Sequence, residues 1–282
     1  MSDSSAAPGT SAVATILAAV DLGEGAATRL ELAFDLADRL GASVIGVAAC
    51  RADLPFYFDG AIGMADTIAN LERREAVQHI GEAEALFRRA AGGRTNIEWR
   101  ATATAPLKFF AEQVRAADLV VVGGTGGAEA PLLPMELDPG DEVMVAGRPL
   151  LVVPPGIARL ACRSAVIAWK DTREARRAVS DALPLLKLAA DVCVLAVGPA
   201  PDEAGANDVA AHLKRHGVAA RVMLRPSPTH GPGQEILDVA KQWNADLIVA
   251  GAYGHSRLRE WALGGVTRDL LLKSPVCCLI SH

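Results

Sequence analysis

Aromatic residues make up only 4% of the 282-residue chain, so the core cannot be built on large rings. It must rest on Ala, Val and Leu, which suit helices packed closely against a parallel sheet. Long apolar runs are also missing. No uninterrupted stretch approaches the roughly 18 apolar residues that a membrane-spanning helix requires. The opening MSDSSAAPGTSA is polar, lacks the basic n-region of a secretory signal, and precedes only the short run Ile16 to Val20. Residues 1–12 are therefore expected to form a disordered tail on a cytoplasmic protein. The five cysteines, Cys50, Cys162, Cys193, Cys277 and Cys278, show no C-x-x-C spacing; they read as reduced thiols buried in strands. An excess of positive charge is absent too. With a net charge of −5, the chain lacks the cationic face that a general nucleic-acid binder needs. Neither a G-x-x-x-x-G-K-[ST] loop nor a G-x-S-x-G elbow occurs, so no catalytic residue is assigned and rapid hydrolysis is not expected.

What the chain has instead is a repeat. ILAAVD (Ile16 to Asp21) answers to VIAWK (Val166 to Lys170), and LGASVIGVA (Leu40 to Ala48) to LAADVCVLA (Leu188 to Ala196). AADLVVVGG (Ala116 to Gly124) answers to NADLIVAGA (Asn244 to Ala252), and RPLLVV (Arg148 to Val153) to SPVCCLI (Ser274 to Ile280). Each is a short apolar run of the kind that fits a buried parallel strand, and amphipathic helical stretches such as Thr28 to Arg39 and Arg173 to Lys187 alternate with them. The proline-bearing link PPGIARLACR divides the halves. The expected organisation is one domain over 13–155 and a second over 163–282, each an α/β doubly wound five-stranded parallel sheet flanked by helices. The offset between matched segments falls from 148 residues to 128, which predicts about twenty extra residues in the first half. LPFYFDGAIGMADTI, residues 54–68, is the surplus, and its aromatics Phe56, Tyr57 and Phe58 suit either a flap or a satellite core.

The stretch GAYGHSRLREWALGGVT, Gly251 to Thr267, follows the apolar run DLIVA. In open α/β sheets, ligands bind beyond the carboxyl ends of the strands, where glycines let backbone approach and helix N-terminal amides favour phosphate. Gly251-x2-Gly254-x9-Gly264, followed by Gly265-Val266-Thr267, resembles the ATP-binding signature of the universal stress proteins, G-x2-G-x9-G-[ST]. The whole chain is similar to a tandem member of that family. The resemblance implies an adenine nucleotide alpha hydrolase-like fold, with the final strands pairing the halves across a pseudo-twofold as an intramolecular pseudo-dimer. It further implies ATP or a related adenine nucleotide, with or without Mg, as a regulatory ligand of a stress-response protein. The nucleotide-binding residues it points to are Ala168, Lys170, Asp171, Thr172, Val197, Ala250, Gly251, Gly254, His255, Gly264, Gly265, Val266 and Thr267. Two departures stand out: Gly265 replaces the usual Ser/Thr, and Lys170 takes the place of an acid, with Asp171 one residue late. Asp171 or Thr172 equally suits a helix cap.

The first half keeps Asp21 and Gly123-x2-Gly126, but GAEAPLLPMELDPGDEV then brings three prolines and Glu129, Glu136, Asp138, Asp141 and Glu142. This reads as a lengthened, acidic, degenerate copy that repels phosphate. His212 and His216 share a helix face at a metal-compatible spacing without a third ligand in sequence, so no metal site is assigned. Two other functions compete with nucleotide binding: a structural or interaction protein with both sites decayed, its partner unknown, and a slow ATPase with Asp171 holding a metal. A further homodimer is left open.

Overall fold

The computed structural model describes residues 13–51, 62–124, 133–198, 200–226, 230–252 and 265–282, with side chains in 62–68 outside the description. The first half runs β1 (Thr15–Ala19), α1 (Ala26–Leu40), β2 (Ser43–Ala49), α2 (Ile62–Ala91), β3 (Ile97–Thr102), α3 (Pro106–Gln113), β4 (Leu119–Gly123), α4 (Pro139–Ala146) and β5 (Leu150–Val153). The second half repeats the order as β6 (Ser164–Trp169), α5 (Arg173–Leu186), β7 (Asp191–Val197), α6 (Glu203–Arg215), β8 (Ala220–Arg225), α7 (Pro232–Gln242), β9 (Leu247–Gly251), α8 (Gly265–Lys273) and β10 (Cys277–Ser281).

All ten strands form one sheet in the order β3-β2-β1-β4-β5-β10-β9-β6-β7-β8. Every pairing within a half is parallel. The halves meet where β5 and β10 run antiparallel, with Leu151 opposite Leu279. Because that junction reverses direction, the carboxyl ends of the two sets of strands point in opposite directions. Successive strand residues face opposite sides, and two cores result. Ile16 and Ala18 belong to the core that lies beneath α1, α2, α5 and α6 on one face; Leu17 belongs to the core beneath α3, α4, α7 and α8 on the other. This is the doubly wound arrangement that the alternating runs predict.

Strand starts are pinned by the residue that makes the two β4-like segments look alike. The Asp118 carboxylate accepts from the amides of Ala14 and Thr15, at 2.9 and 3.0 Å. Asp246 accepts from Arg163 and Ser164, at 2.9 and 3.4 Å. Each aspartate thus ties the entry of β4 or β9 to its neighbour β1 or β6 and gives the first amides of that neighbour an acceptor. Three of the scarce aromatics gather in one place: Phe34 of α1, Phe87 of α2 and Trp99 of β3 lie in series, with successive centroids 5.4 Å apart. Gly46 on β2 makes room for them, since a Cβ there would lie 2.7 Å from the Phe87 ring.

The register also locates the surplus. Ile97 follows its β2 partner Val44 by 53 residues, whereas Ala220 follows Val192 by 28. The extra length therefore lies between β2 and β3, where α2 has 30 residues and its counterpart α6 has 13. The aromatics Phe56 to Phe58 fall outside the described residues.

Candidate functional site

In each half the strand order reverses between the first and fourth strands, and the crevice at that point is where open α/β sheets take ligands. In the second half this lies between the ends of β6 and β9. Trp169 closes β6, buried, with its indole N–H 3.4 Å from the Asp202 carboxylate that caps α6. Ala168 and Val197 are half-buried, Ala250 is buried, and Lys170 is exposed. Asp171 is exposed and paired with Arg176, which donates to it from Nε at 2.9 Å and from Nη2 at 2.6 Å. Thr172 caps α5 by accepting the Ala175 amide at 3.2 Å. The capping alternative therefore belongs to Thr172, while Asp171 turns back on its own helix.

Gly251 has a different neighbour from the one its place in the motif suggests. A Cβ there would sit 2.6 Å from the Glu174 carbonyl carbon and 2.9 Å from the Ala175 Cα. The missing side chain lets the first turn of α5 press against the end of β9. Beyond Ala252, residues 253–264 lie outside the described residues, and with them Gly254, His255 and Gly264. The chain re-enters at α8. Gly265, its first residue, is exposed, and no described residue stands within 4 Å of where a Cβ would lie. Val266 is half-buried, Thr267 is buried, and the first turn carries no acid.

The first half shows what the same crevice becomes when acids enter it. Leu150 lies thirty residues after its partner Val120, and Cys278 lies thirty after Ile248. The segment after β4 is thus not lengthened, contrary to the sequence expectation; its prolines and acids replace residues one for one. In that register Asp138 stands where the second half has Val266, and Glu142 where it has Leu270. Asp138 accepts from the amides of Gly140 and Asp141, at 2.8 and 3.2 Å, so its own carboxylate fills the helix N-terminus that a phosphate would need.

Between these ends lies a cavity of about 230 Å³. Its walls are apolar, formed by Ala19, Val47, Phe109, Phe110, Met135 and Val153, and its polar groups are Asp21, Glu24, Arg29, Glu136 and Glu142. Arg29, only 5% exposed, pairs with Asp21, and its Nε donates to the Ala19 carbonyl at 3.4 Å. The guanidinium fits because Gly123 has no Cβ; one would lie 2.5 Å from Nη1. Glu142 is 1% exposed. Burial pushes its carboxyl well above the usual range. Arg29 opposes that rise, and Asp21, Asp138 and Asp141 add to it. The sequence reading did not single out Arg29, although a cation on the buried stripe Ala26, Arg29, Ala33 of an amphipathic helix is a signal that could have found it.

Comparison with known proteins agrees with this architecture. Residues 227–282 match the model of the universal stress protein family. A universal stress protein from Archaeoglobus fulgidus DSM 4304 is similar over 95% of this chain and 98% of its own, at 16% identity and a TM-score of 0.70. A functionally unknown protein from Pseudomonas aeruginosa PAO1 is similar over 96% of this chain and 93% of its own, at 14% identity and a TM-score of 0.57. No curated protein matches the sequence. The chain thus matches the universal stress protein family model over residues 227–282 and shares its fold, along nearly its whole length, with a universal stress protein.

Proposed function

We propose that the chain is a tandem, nucleotide-binding stress-response protein, built of units 13–155 and 163–282, and that the second holds ATP or a related adenine nucleotide as a regulatory ligand. The observation that carries this reading is the contrast between two equivalent helix ends. α4 is capped by Asp138 and carries Asp141 and Glu142 in its first turn, whereas α8 opens two residues earlier in the shared register, on the exposed Gly265, with Asp269, the counterpart of Asp141, in its second turn and paired with Lys273. Unpaired amides and the positive end of the helix dipole favour phosphate where no carboxylate competes. The glycine motif around α8 and the family match over 227–282 support the adenine nucleotide as the ligand class. Lys170, exposed at the end of β6, adds a positive charge to the same edge.

A magnesium ion is less well served. Asp171, the acid it would use, is paired with Arg176. Among the described residues no group of three His, Cys, Asp or Glu is placed to hold a metal. No hydrolytic step is therefore assigned to these side chains.

Calorimetric titration of the full chain with ATP tests the reading, with one site per chain expected. Gly265→Asp puts a carboxylate where the phosphate would sit. Losing even two charge-assisted hydrogen bonds at roughly 1.5 kcal/mol each weakens binding by about a hundredfold. The fold is expected to survive, since no described residue crowds the position and an acid suits a helix start. A folded variant that binds ATP as tightly as the parent would remove the phosphate site from α8. A parent that binds no nucleotide would leave the chain with a structural or interaction role.

A further inference from the structure

The described lining of the first-half cavity carries more acid than base. Among the described lining residues Arg29 is the one cation, and it is committed to Asp21. Against that pair stand three more carboxyls from separate segments: Glu24 and Glu136 toward the mouth and Glu142 at depth. Glu136 accepts the Leu133 amide at 2.9 Å. Glu142 is 99% shielded from solvent, lines the cavity, and receives no hydrogen bond or ion pair from any described residue. A buried carboxyl without a donor is costly, and a ligand that brings a donor relieves that cost. The volume of about 230 Å³ lies below the roughly 300 to 1,000 Å³ of ordinary small-molecule sites, so the occupant is smaller than a nucleotide. The walls around Phe110, Met135 and Val153 ask for a short apolar body.

We infer that this cavity binds a small organic cation, an alkylammonium-type molecule whose charged nitrogen meets Glu142 and whose hydrocarbon part lies against Phe110, Met135 and Val153. Such a site would be distinct in both place and charge from the proposed nucleotide site, and neither depends on the other. The Glu142 carboxyl faces Arg29 from α1, Asp21 from the β1–α1 turn, and Asp138 and Asp141 from its own helix. Binding a cation releases its proton, so affinity rises with pH.

The test is a titration of the full chain with n-butylammonium chloride, followed by calorimetry and by methyl NMR. Butyrate and 1-butanol, of similar shape, serve as the anionic and neutral probes. The expected result is saturable 1:1 binding of n-butylammonium, at least tenfold tighter than either control and tighter at pH 8 than at pH 6. Methyl shifts should be confined to cavity residues such as Met135 and Val153. Glu142→Gln should weaken binding at least tenfold, and Glu136→Gln several-fold. Absence of saturable binding, or equal affinity for 1-butanol, overturns the proposal. Tighter binding of butyrate would assign recognition to Arg29 instead and overturn it too. If Glu142→Gln does not fold, the pH dependence and shift map of the parent, together with Glu136→Gln, decide the matter. Shifts away from Met135 and Val153 refute it.

Discussion

Replacing Glu142 with glutamine changes one atom in size and removes one titration, which isolates the electrostatic cost of this carboxyl. In the unfolded chain the group loses its proton in the ordinary carboxylate range, near 4.5. In the folded chain it holds the proton to well above that, because burial outweighs the attraction of Arg29. Between the two values the folded state binds the extra proton, so stability falls as pH rises. The slope reaches at most about 1.4 kcal/mol per pH unit for one group. Glutamine cannot titrate and lacks this slope. The variant is therefore expected to gain on the parent steadily above pH 4.5, by up to about 2.7 kcal/mol between pH 5 and pH 7 if the proton stays bound throughout. Urea unfolding of both proteins at pH 5, 6 and 7 gives the difference directly, and titrations common to both cancel. Any constant effect of the new amide shifts the difference without tilting it. A difference that is flat or falls with pH would show that Glu142 is ionised in the folded chain and held by Arg29, and the burial argument would be refuted.

Other consequences are sharper in space than in pH. Gly251→Ala forces a Cβ against the backbone of Glu174 and Ala175 and should cost about 1–3 kcal/mol or more. Gly265→Ala, crowded by no described residue at a helix start, should be neutral or raise stability by under about 1 kcal/mol; thermal melts that rank the two alike would contradict the packing described. Thr172→Ala removes a cap and should cost about 1 kcal/mol, whereas Asp171→Asn breaks only an exposed pair and should stay within about 0.5 kcal/mol. The reverse order in denaturant titrations would mean that Asp171 holds the helix start. All five thiols are buried, and burial pushes Cys162 and Cys193 up to about 11, Cys278 to about 12, and Cys277 further still. Iodoacetamide at pH 8 should leave the native chain unmodified and label all five once it is unfolded, as read by intact mass.

The sequence disclosed those parts of the fold whose burial is complete. β1, β2, β4 and β5 and their counterparts lie in the middle of the sheet, covered on both faces, so they read as continuous apolar runs. β3 and β8 are the sheet's edges. Their segments, IEWRAT and ARVMLR, keep most positions half-exposed and leave no such run to find. The surplus of the first half was legible as a change of offset, but its form as a 30-residue helix was not, because an offset fixes a length and not a conformation. Site residues divide the same way. The glycine motif marks a crevice from spacing alone, but spacing cannot say that Gly251 is crowded by α5. The pairing of Arg29 with Asp21 beside Glu142 joins residues distant in sequence, and only the fold brings them together.

The antiparallel seam between β5 and β10 has a further consequence. Two identical subunits related by a twofold axis must carry identical sites, and they separate on dilution. Joining the copies in one chain removes both constraints. Each end of the sheet is free to drift in sequence without disturbing its counterpart, so one can fill with carboxyls while the other does not. The two unlike ends also stay in a one-to-one ratio at any concentration, which a pair of separate subunits achieves only above its dissociation constant.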